Sequence, residues 1–214
     1  MKNTRQRTTY SEDPTHVSFL YYVVNKPFMM LSQFTSELGK QTLADLEFVF
    51  PTDVYPVGRL DEDSEGLLIL TNDKNLSYKL LEPKFEHQRT YFIQVDGMIT
   101  PEAILELTKG VEINVKGVIY PTLPAHAEAI AQPSVIKERN PPIRFRQNIP
   151  TSWVKLSIKE GKNHQVRKMT AKVGFPTLRL IRYSTEKLNL EGIQVGEVKE
   201  FDKNSLYKLL NIED

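Results

Sequence analysis

Residues 58–66 read Gly-Arg-Leu-Asp-Glu-Asp-Ser-Glu-Gly and run straight into the apolar stretch Leu67-Leu68-Ile69-Leu70. Asp61, Asp63 and Glu65 alternate along the run, beside Arg59 and between two glycines. A polar loop followed at once by a strand is a loop pinned to a sheet edge, where a rigid scaffold presents functional side chains. The same residues have two plainer explanations. Asp, Ser and Gly favour turns through local hydrogen bonds. Asp61-x-Asp63-x-Glu65-Gly66 also matches the first half of a calcium loop, which needs a bidentate Glu at its twelfth position and helices on both sides. That position is Asn72 and the flank is β-like, so the calcium reading is set aside.

The 214 residues contain no cysteine. This removes a disulfide framework, a thiolate metal site and a thiol nucleophile, and it fits a reducing, cytoplasmic setting. No stretch approaches the ~18 apolar residues of a membrane span. The N-terminal apolar run Phe19–Val24 is too short for a signal-peptide core. The length suits one generous domain or two small lobes sharing a sheet.

A net charge of +1 hides a strong asymmetry. Residues 137–187 hold thirteen Lys/Arg against Glu138, Glu160 and Glu186, whereas residues 11–136 hold nine basic and eighteen acidic residues. A segment at +10 beside one at −9 is the footprint of a nucleic-acid surface. The plainer alternative is a solvated face balanced in space by the acidic half.

Along the chain, residues 1–18 carry Lys2, Arg5 and Arg7 without apolar periodicity and read as a basic tail before a domain at 19–214. Strands are expected at Phe19–Val24, Leu67–Thr71, Arg89–Val95, within 111–120 and 125–131, at Trp153–Lys159 and Thr177–Tyr183, with a strand–turn–strand through 187–201. Helices are expected near Thr42–Phe48, from the Asp73 cap to Leu81, from the Thr100-Pro101 opening to Gly110, from an Asn163 cap to Val173, and at Ser205–Leu210. Four prolines in 132–150 mark an extended loop. Mixed helices and hairpins argue for an α+β fold on a mainly antiparallel sheet.

The run Gly-Arg-Leu-Asp, a short polar stretch and Gly-Leu-Leu resembles the active-site motif of the pseudouridine synthases, in the form used by the RsuA and Rlu groups. Three later segments agree in order: Arg89-Thr90-Tyr91, then Glu160-Gly161-Lys162-Asn163-His164-Gln165-Val166-Arg167-Lys168-Met169, then Phe175-Pro176-Thr177-Leu178-Arg179-Leu180-Ile181-Arg182-Tyr183. The stretches 139–144 and 149–153 look most like the enzymes of the large ribosomal subunit. The resemblance spans roughly residues 19–202. It implies a mixed, mainly antiparallel sheet with flanking helices and a central cleft. Many relatives begin with an S4-type RNA-binding domain; the residues before 19 leave no room for one, so none is expected here.

The implied chemistry is isomerisation of a uridine in 23S ribosomal RNA, free or in an assembling 50S particle, by a monomer that needs no cofactor and no metal. Asp61 matches the catalytic aspartate, a carboxylate suited to act as base or as nucleophile on a sugar. Arg167 matches a basic residue that pairs with that aspartate in relatives and keeps it ionised. It lies beside the apolar stripe Val166, Met169, Thr170 and Val173, with Lys168 as fallback. Tyr91 matches a tyrosine that stacks on the target base. Arg59 matches the residue that fills the RNA stack when the uridine leaves it. Leu180 resembles the apolar floor of the pocket. Asp63 is expected to brace the loop through backbone amides. His164 reads as facing RNA or supporting Arg167, and Arg139, Arg144 and Arg146 as phosphate contacts. His16, His87 and His126 give no signal, and Trp153 reads as core. The alternative within the class is a synthase for 16S rRNA or another 23S position, which the proline-rich loop argues against. A non-catalytic RNA-binding protein on the same fold and a metal-dependent nuclease are the rivals from other classes; the latter lacks a second acidic cluster for a two-metal site.

Overall fold

The computed structural model describes residues 18–143 and 150–213. In chain order the strands are β1 (Tyr21–Lys26), β2 (Met30–Leu31), β3 (Gln41–Thr42), β4 (Tyr55–Pro56), β5 (Glu65–Thr71), β6 (Arg89–Asp96), β7 (Glu112–Val115), β8 (Val118–Pro121), β9 (His126–Ile130), β10 (Thr151–Ile158), β11 (Thr177–Thr185), β12 (Leu188–Asn189) and β13 (Val198–Phe201). The helices are α1 (Lys74–Leu81), α2 (Pro101–Lys109), α3 (Gln165–Lys172) and α4 (Lys203–Leu209). The α+β class expected from the sequence is the one observed.

One sheet carries the order β13-β1-β5-β11-β6-β10-β9, with β4 added to β5 and β12 to β11. Every ladder in it is antiparallel except β5–β11, which is parallel. That exception spans only two register pairs, Ile181 with Glu65 and Arg182 with Gly66. The sheet is thus two antiparallel halves joined by a narrow parallel seam. At the seam Gly66 has φ 106°, and a Cβ there would lie 2.3 Å from the Arg182 carbonyl oxygen. Only glycine permits so close an approach with that backbone.

Alternation along the strands feeds apolar packing on both faces. Tyr21, Val23, Leu67 and Ile69 pack with Leu76 and Leu80 of α1 and with Leu206, Tyr207 and Leu210 at the C-terminal helix. Tyr22, Val24, Leu68 and Leu70 face the other way, against Met30, Leu43, Val54 and Leu60. Ile93, Val95, Val154 and Leu156 pack with Leu107 of α2 and with Val166 and Met169 of α3. Trp153 is core, as expected.

Local chemistry sets most element ends. Asp73 caps α1 by accepting from the Asn75 and Leu76 amides, and Thr100 and Gly110 bound α2. Several expectations need correction. The helix expected over Thr42–Phe48 is one turn, Leu43–Asp45, with a Thr42/Asp45 capping box. It stops because Phe48 and Phe50 leave to pack on Tyr22 and Phe34. The strand within 111–120 is the hairpin β7–β8, turned at Lys116-Gly117, where both residues have positive φ. Residues 187–201 do not pair with themselves: β12 joins β11, while β13 crosses to the sheet edge on β1. Asn163 does not cap α3; His164 occupies the cap, in the left-handed region at φ 50°. The last helix begins earlier, capped by Asp202.

Asp73 does more than cap. Buried, it accepts from the Tyr21 hydroxyl at 3.0 Å and the Tyr207 hydroxyl at 2.7 Å. Burial pulls its carboxyl pKa upward, but these bonds and the amides outweigh that and hold it below the usual value. Asp73→Ala should therefore cost about 2–4 kcal/mol, a lost cap plus the loss of the acceptor that two buried hydroxyls share. The measurement is a urea denaturation midpoint that falls at unchanged m-value.

Candidate active site

The loop before β5 is held from four directions. From below, Lys26 at the end of β1 is completely buried, and its Nζ donates to the carbonyls of Pro27, Met30 and Glu62 at 2.9, 2.6 and 3.3 Å. Ser32 clamps Leu60, donating to its carbonyl at 3.0 Å and accepting from its amide at 3.1 Å. At the loop's end, Glu65 makes a buried two-point ion pair with Arg179 of β11, both contacts at 2.8 Å. From α3, Arg167 Nη2 reaches the Asp63 carboxylate at 2.9 Å, the Asp63 carbonyl at 3.0 Å and Ser64 Oγ at 3.3 Å.

This last contact corrects the expected pairing. The Arg167 guanidinium sits on Asp63, not on Asp61, and Asp63 is braced by that cation rather than by backbone amides. The reason is local. The Asp61 carbonyl accepts from the Ser64 amide at 3.0 Å, so the chain turns and the two acids diverge. The group beside Asp61 is instead the imidazole of His164, with Nδ1 3.3 Å from Oδ2.

A cleft of about 490 Å³ opens above the sheet, lined among others by Arg59, Asp61, Tyr91, His164, Leu180 and Arg182. The sheet supplies its floor: Tyr91 from β6 and Leu180 and Arg182 from β11, all buried. The loop supplies Arg59 and Asp61 at one rim, and the turn before α3 supplies His164 at the other. That turn is knitted by Glu160, which accepts from the Tyr120 hydroxyl, the Leu123 amide and Gln165 Nε2 at 2.5, 2.8 and 2.7 Å. Gln165 in turn accepts from the Lys162 amide at 2.9 Å. This bracing sustains the left-handed backbone of His164, uncommon for a non-glycine residue.

Of the other expected residues, Lys168 and Arg139 do not line the cleft. Lys168 donates to the Asn163 carbonyl at 2.8 Å. Arg139 lies flat on Phe28, its guanidinium carbon 3.9 Å from the ring centre, and donates to the Pro141 carbonyl at 2.8 Å. Its role as a phosphate contact would compete with that internal brace. Arg144 and Arg146 lie outside the described residues. Among the described residues no group of three or more His, Asp or Glu side chains gathers at metal-binding spacing. No helix among them is long and apolar enough to cross a membrane.

Lys26, Glu160, Arg179 and Arg182 were not singled out from the sequence, and His87, read as silent, lines the cleft. For the two arginines a signal existed: they interrupt an otherwise apolar strand, Leu178-Arg179-Leu180-Ile181-Arg182, at positions that must be buried if the strand is central.

This cleft, set across the centre of a mixed sheet with an aspartate at the rim, matches a known class. The model of the RNA pseudouridylate synthase family matches residues 20–172, and the chain belongs to that family. It is 52% identical over 178 residues to ribosomal large subunit pseudouridine synthase E of Vibrio parahaemolyticus, covering 83% of this chain and 72% of that protein. It is 43% identical to the enzyme of the same name from Xanthomonas axonopodis pv. citri, over 80% of this chain and 88% of that one. A crystal structure of a pseudouridylate synthase superposes with a TM-score of 0.70 at 26% identity, over 90% of this chain and 74% of the other.

Two outcomes are expected here. Asp63 and Arg167 should be coupled: Asp63→Asn and Arg167→Met in a double-mutant cycle on stability should show about 0.5–1 kcal/mol of interaction, since the carboxylate is half exposed. Asp61→Asn with Arg167→Met should show none. For Lys26, burial drives the ammonium from 10.5 down to about 8, against the pull of Glu65, Asp63, Asp61 and Glu62. The unfolded chain keeps that proton to higher pH than the folded one. The buried charge thus subtracts from stability below about pH 8, and the penalty is relieved as pH rises toward 10.5. Relative to Lys26→Met, the wild type should gain up to about 3 kcal/mol across that window, read by urea titrations at its two ends.

Proposed function

We propose that this protein isomerises a uridine of 23S ribosomal RNA to pseudouridine. The observation that carries the reading is Asp61: a partly exposed carboxylate on a loop anchored from four sides, at the rim of a cleft whose buried floor holds Tyr91 and Leu180. The large-subunit target is supported by the names of the relatives above.

The reaction breaks the bond between C1′ of the ribose and N1 of the uracil; the uracil turns and rejoins the sugar through C5. Asp61 acts on the sugar, as nucleophile at C1′ or as base for the 2′ proton. Tyr91 stacks on the base in the cleft, and Leu180 shapes the floor beneath it. Arg59 at the rim is free to enter the RNA stack in place of the extruded uridine, since chemistry on a base requires it to leave the helix. His164, within ion-pair reach of Asp61, orients the carboxylate when protonated. Arg167 acts at one remove, fixing the loop through Asp63 and Ser64.

Outside the cleft, the cationic segment 137–187 supplies the surface that tracks RNA phosphates. Arg139, Arg144, Arg146 and Lys168 contribute charge there. The enzyme works as a monomer in the cytoplasm, on free rRNA or on an assembling large subunit.

Asp61→Asn should remove turnover while leaving RNA affinity within about threefold, because the side chains are nearly isosteric and only the carboxylate chemistry is lost. Tritium release from C5-labelled uridine in transcribed 23S rRNA measures the first, and filter binding the second. Near-wild-type release by Asp61→Asn would sink the assignment. Full RNA binding with no release by the wild type would favour the non-catalytic reading.

A further inference from the structure

Arg182 is a buried cation with no carboxylate partner among the described residues. It pairs in register with Tyr91 across the antiparallel β11–β6 ladder. Opposed residues on such strands share a face, with Cβ atoms about 5 Å apart. The guanidinium donates through Nε to the Leu67 carbonyl at 2.7 Å, across the seam. Tyr91, opposite it on the same face, favours the charged form of the guanidinium. Among the described residues no acid lies within ion-pair distance of it. Burial pushes its pKa below the ordinary arginine value, and the neighbouring cation Arg89 adds to that. A buried unpaired charge is costly, and such groups gather where chemistry needs them. Both Arg182 and Tyr91 line the cleft.

We propose that Arg182 is a positioning residue for Tyr91: it fixes the phenolic oxygen as an acceptor, turns the hydroxyl proton toward the uracil, and sets a preorganised cation behind that contact. The inference rests on reading Tyr91 as the residue that faces the base. When the C1′–N1 bond breaks, its electron pair goes to the uracil, which becomes anionic until C5 joins C1′. A fixed cation one hydrogen bond away meets that charge without reorganisation, as water could not. The Leu67 carbonyl holds the guanidinium through Nε, which restrains it from swinging away.

The test uses the full chain on 23S transcript under single-turnover conditions, with RNA affinity and thermal melting measured in parallel. Arg182→Lys, which keeps the charge but not the fork, should slow turnover by roughly tenfold or more with RNA affinity changed less than about threefold. Arg182→Gln should slow it further. In a Tyr91→Phe background, Arg182→Lys should cost at most about twofold, because the hydroxyl it serves is gone. The proposal is overturned if Arg182→Lys turns over like the wild type, or if it costs the same factor in both backgrounds. It is also overturned if turnover, affinity and melting fall together, as a purely structural role demands. Tyr91→Phe at the wild-type rate would instead remove the assignment of Tyr91, and this proposal with it. A slow Tyr91→Phe with an unaltered Arg182 effect overturns only the present inference.

Discussion

Everything in this molecule hangs on the place where two antiparallel sheets meet along two residue pairs. A parallel ladder that short contributes few backbone hydrogen bonds, and parallel pairing is slightly weaker per residue than antiparallel pairing. The seam is instead secured by side chains that cross it. Arg179 grips Glu65 with two hydrogen bonds, and Arg182 reaches over to the Leu67 carbonyl. Gly66 lets the strands close to a distance no side chain would allow. Lys26 pairs with that same glycine from the far side and ties the preceding loop to β1. Buried ions are ordinarily a weak source of stability, since desolvation offsets much of their attraction. Here they buy register: a slip by one residue at the seam would turn Glu65 and Arg182 to the wrong faces.

The loop that carries Asp61 inherits this rigidity. It leaves the seam at Glu65, and each residue from Leu60 to Glu65 except Asp61 is tied by side chain or backbone to an element outside the loop. Asp61 is turned to the cleft, with the imidazole of His164 beside it. Such an arrangement fixes the backbone of Asp61 while leaving its carboxylate approachable. The cost is a left-handed residue at His164 and a dense polar turn around Glu160 to sustain it.

The sequence made the periodic parts of the fold legible. The strand after the acidic loop, the Asp73-capped helix and the helix between Thr100 and Gly110 follow from alternation and cap chemistry alone. Asp61, Tyr91 and Leu180 could be assigned to one site by resemblance, and the fold brings them to one cleft. What could not be read is pairing. Acids two apart in a loop point together or apart according to one backbone hydrogen bond, so Arg167 was matched to the wrong carboxylate. Nor does the chain announce that β11 inserts between β5 and β6, which is what buries Arg182 against Tyr91. The αL backbone of His164 was equally invisible, because a histidine carries no turn signature.

The position of β11 has a bearing on biosynthesis. This strand, at 177–185, occupies the slot between β5 at 65–71 and β6 at 89–96. A ribosome that has released the chain through Lys172 has already delivered Asp61, Tyr91 and Arg167. It has not delivered the strand that joins the halves, nor β13, which closes the edge on β1 some 170 residues back. Contacts of such span form late, after the loop-closure entropy has been met. The nascent polypeptide therefore carries Asp61 and Tyr91 without the cleft they line until β11 has been made.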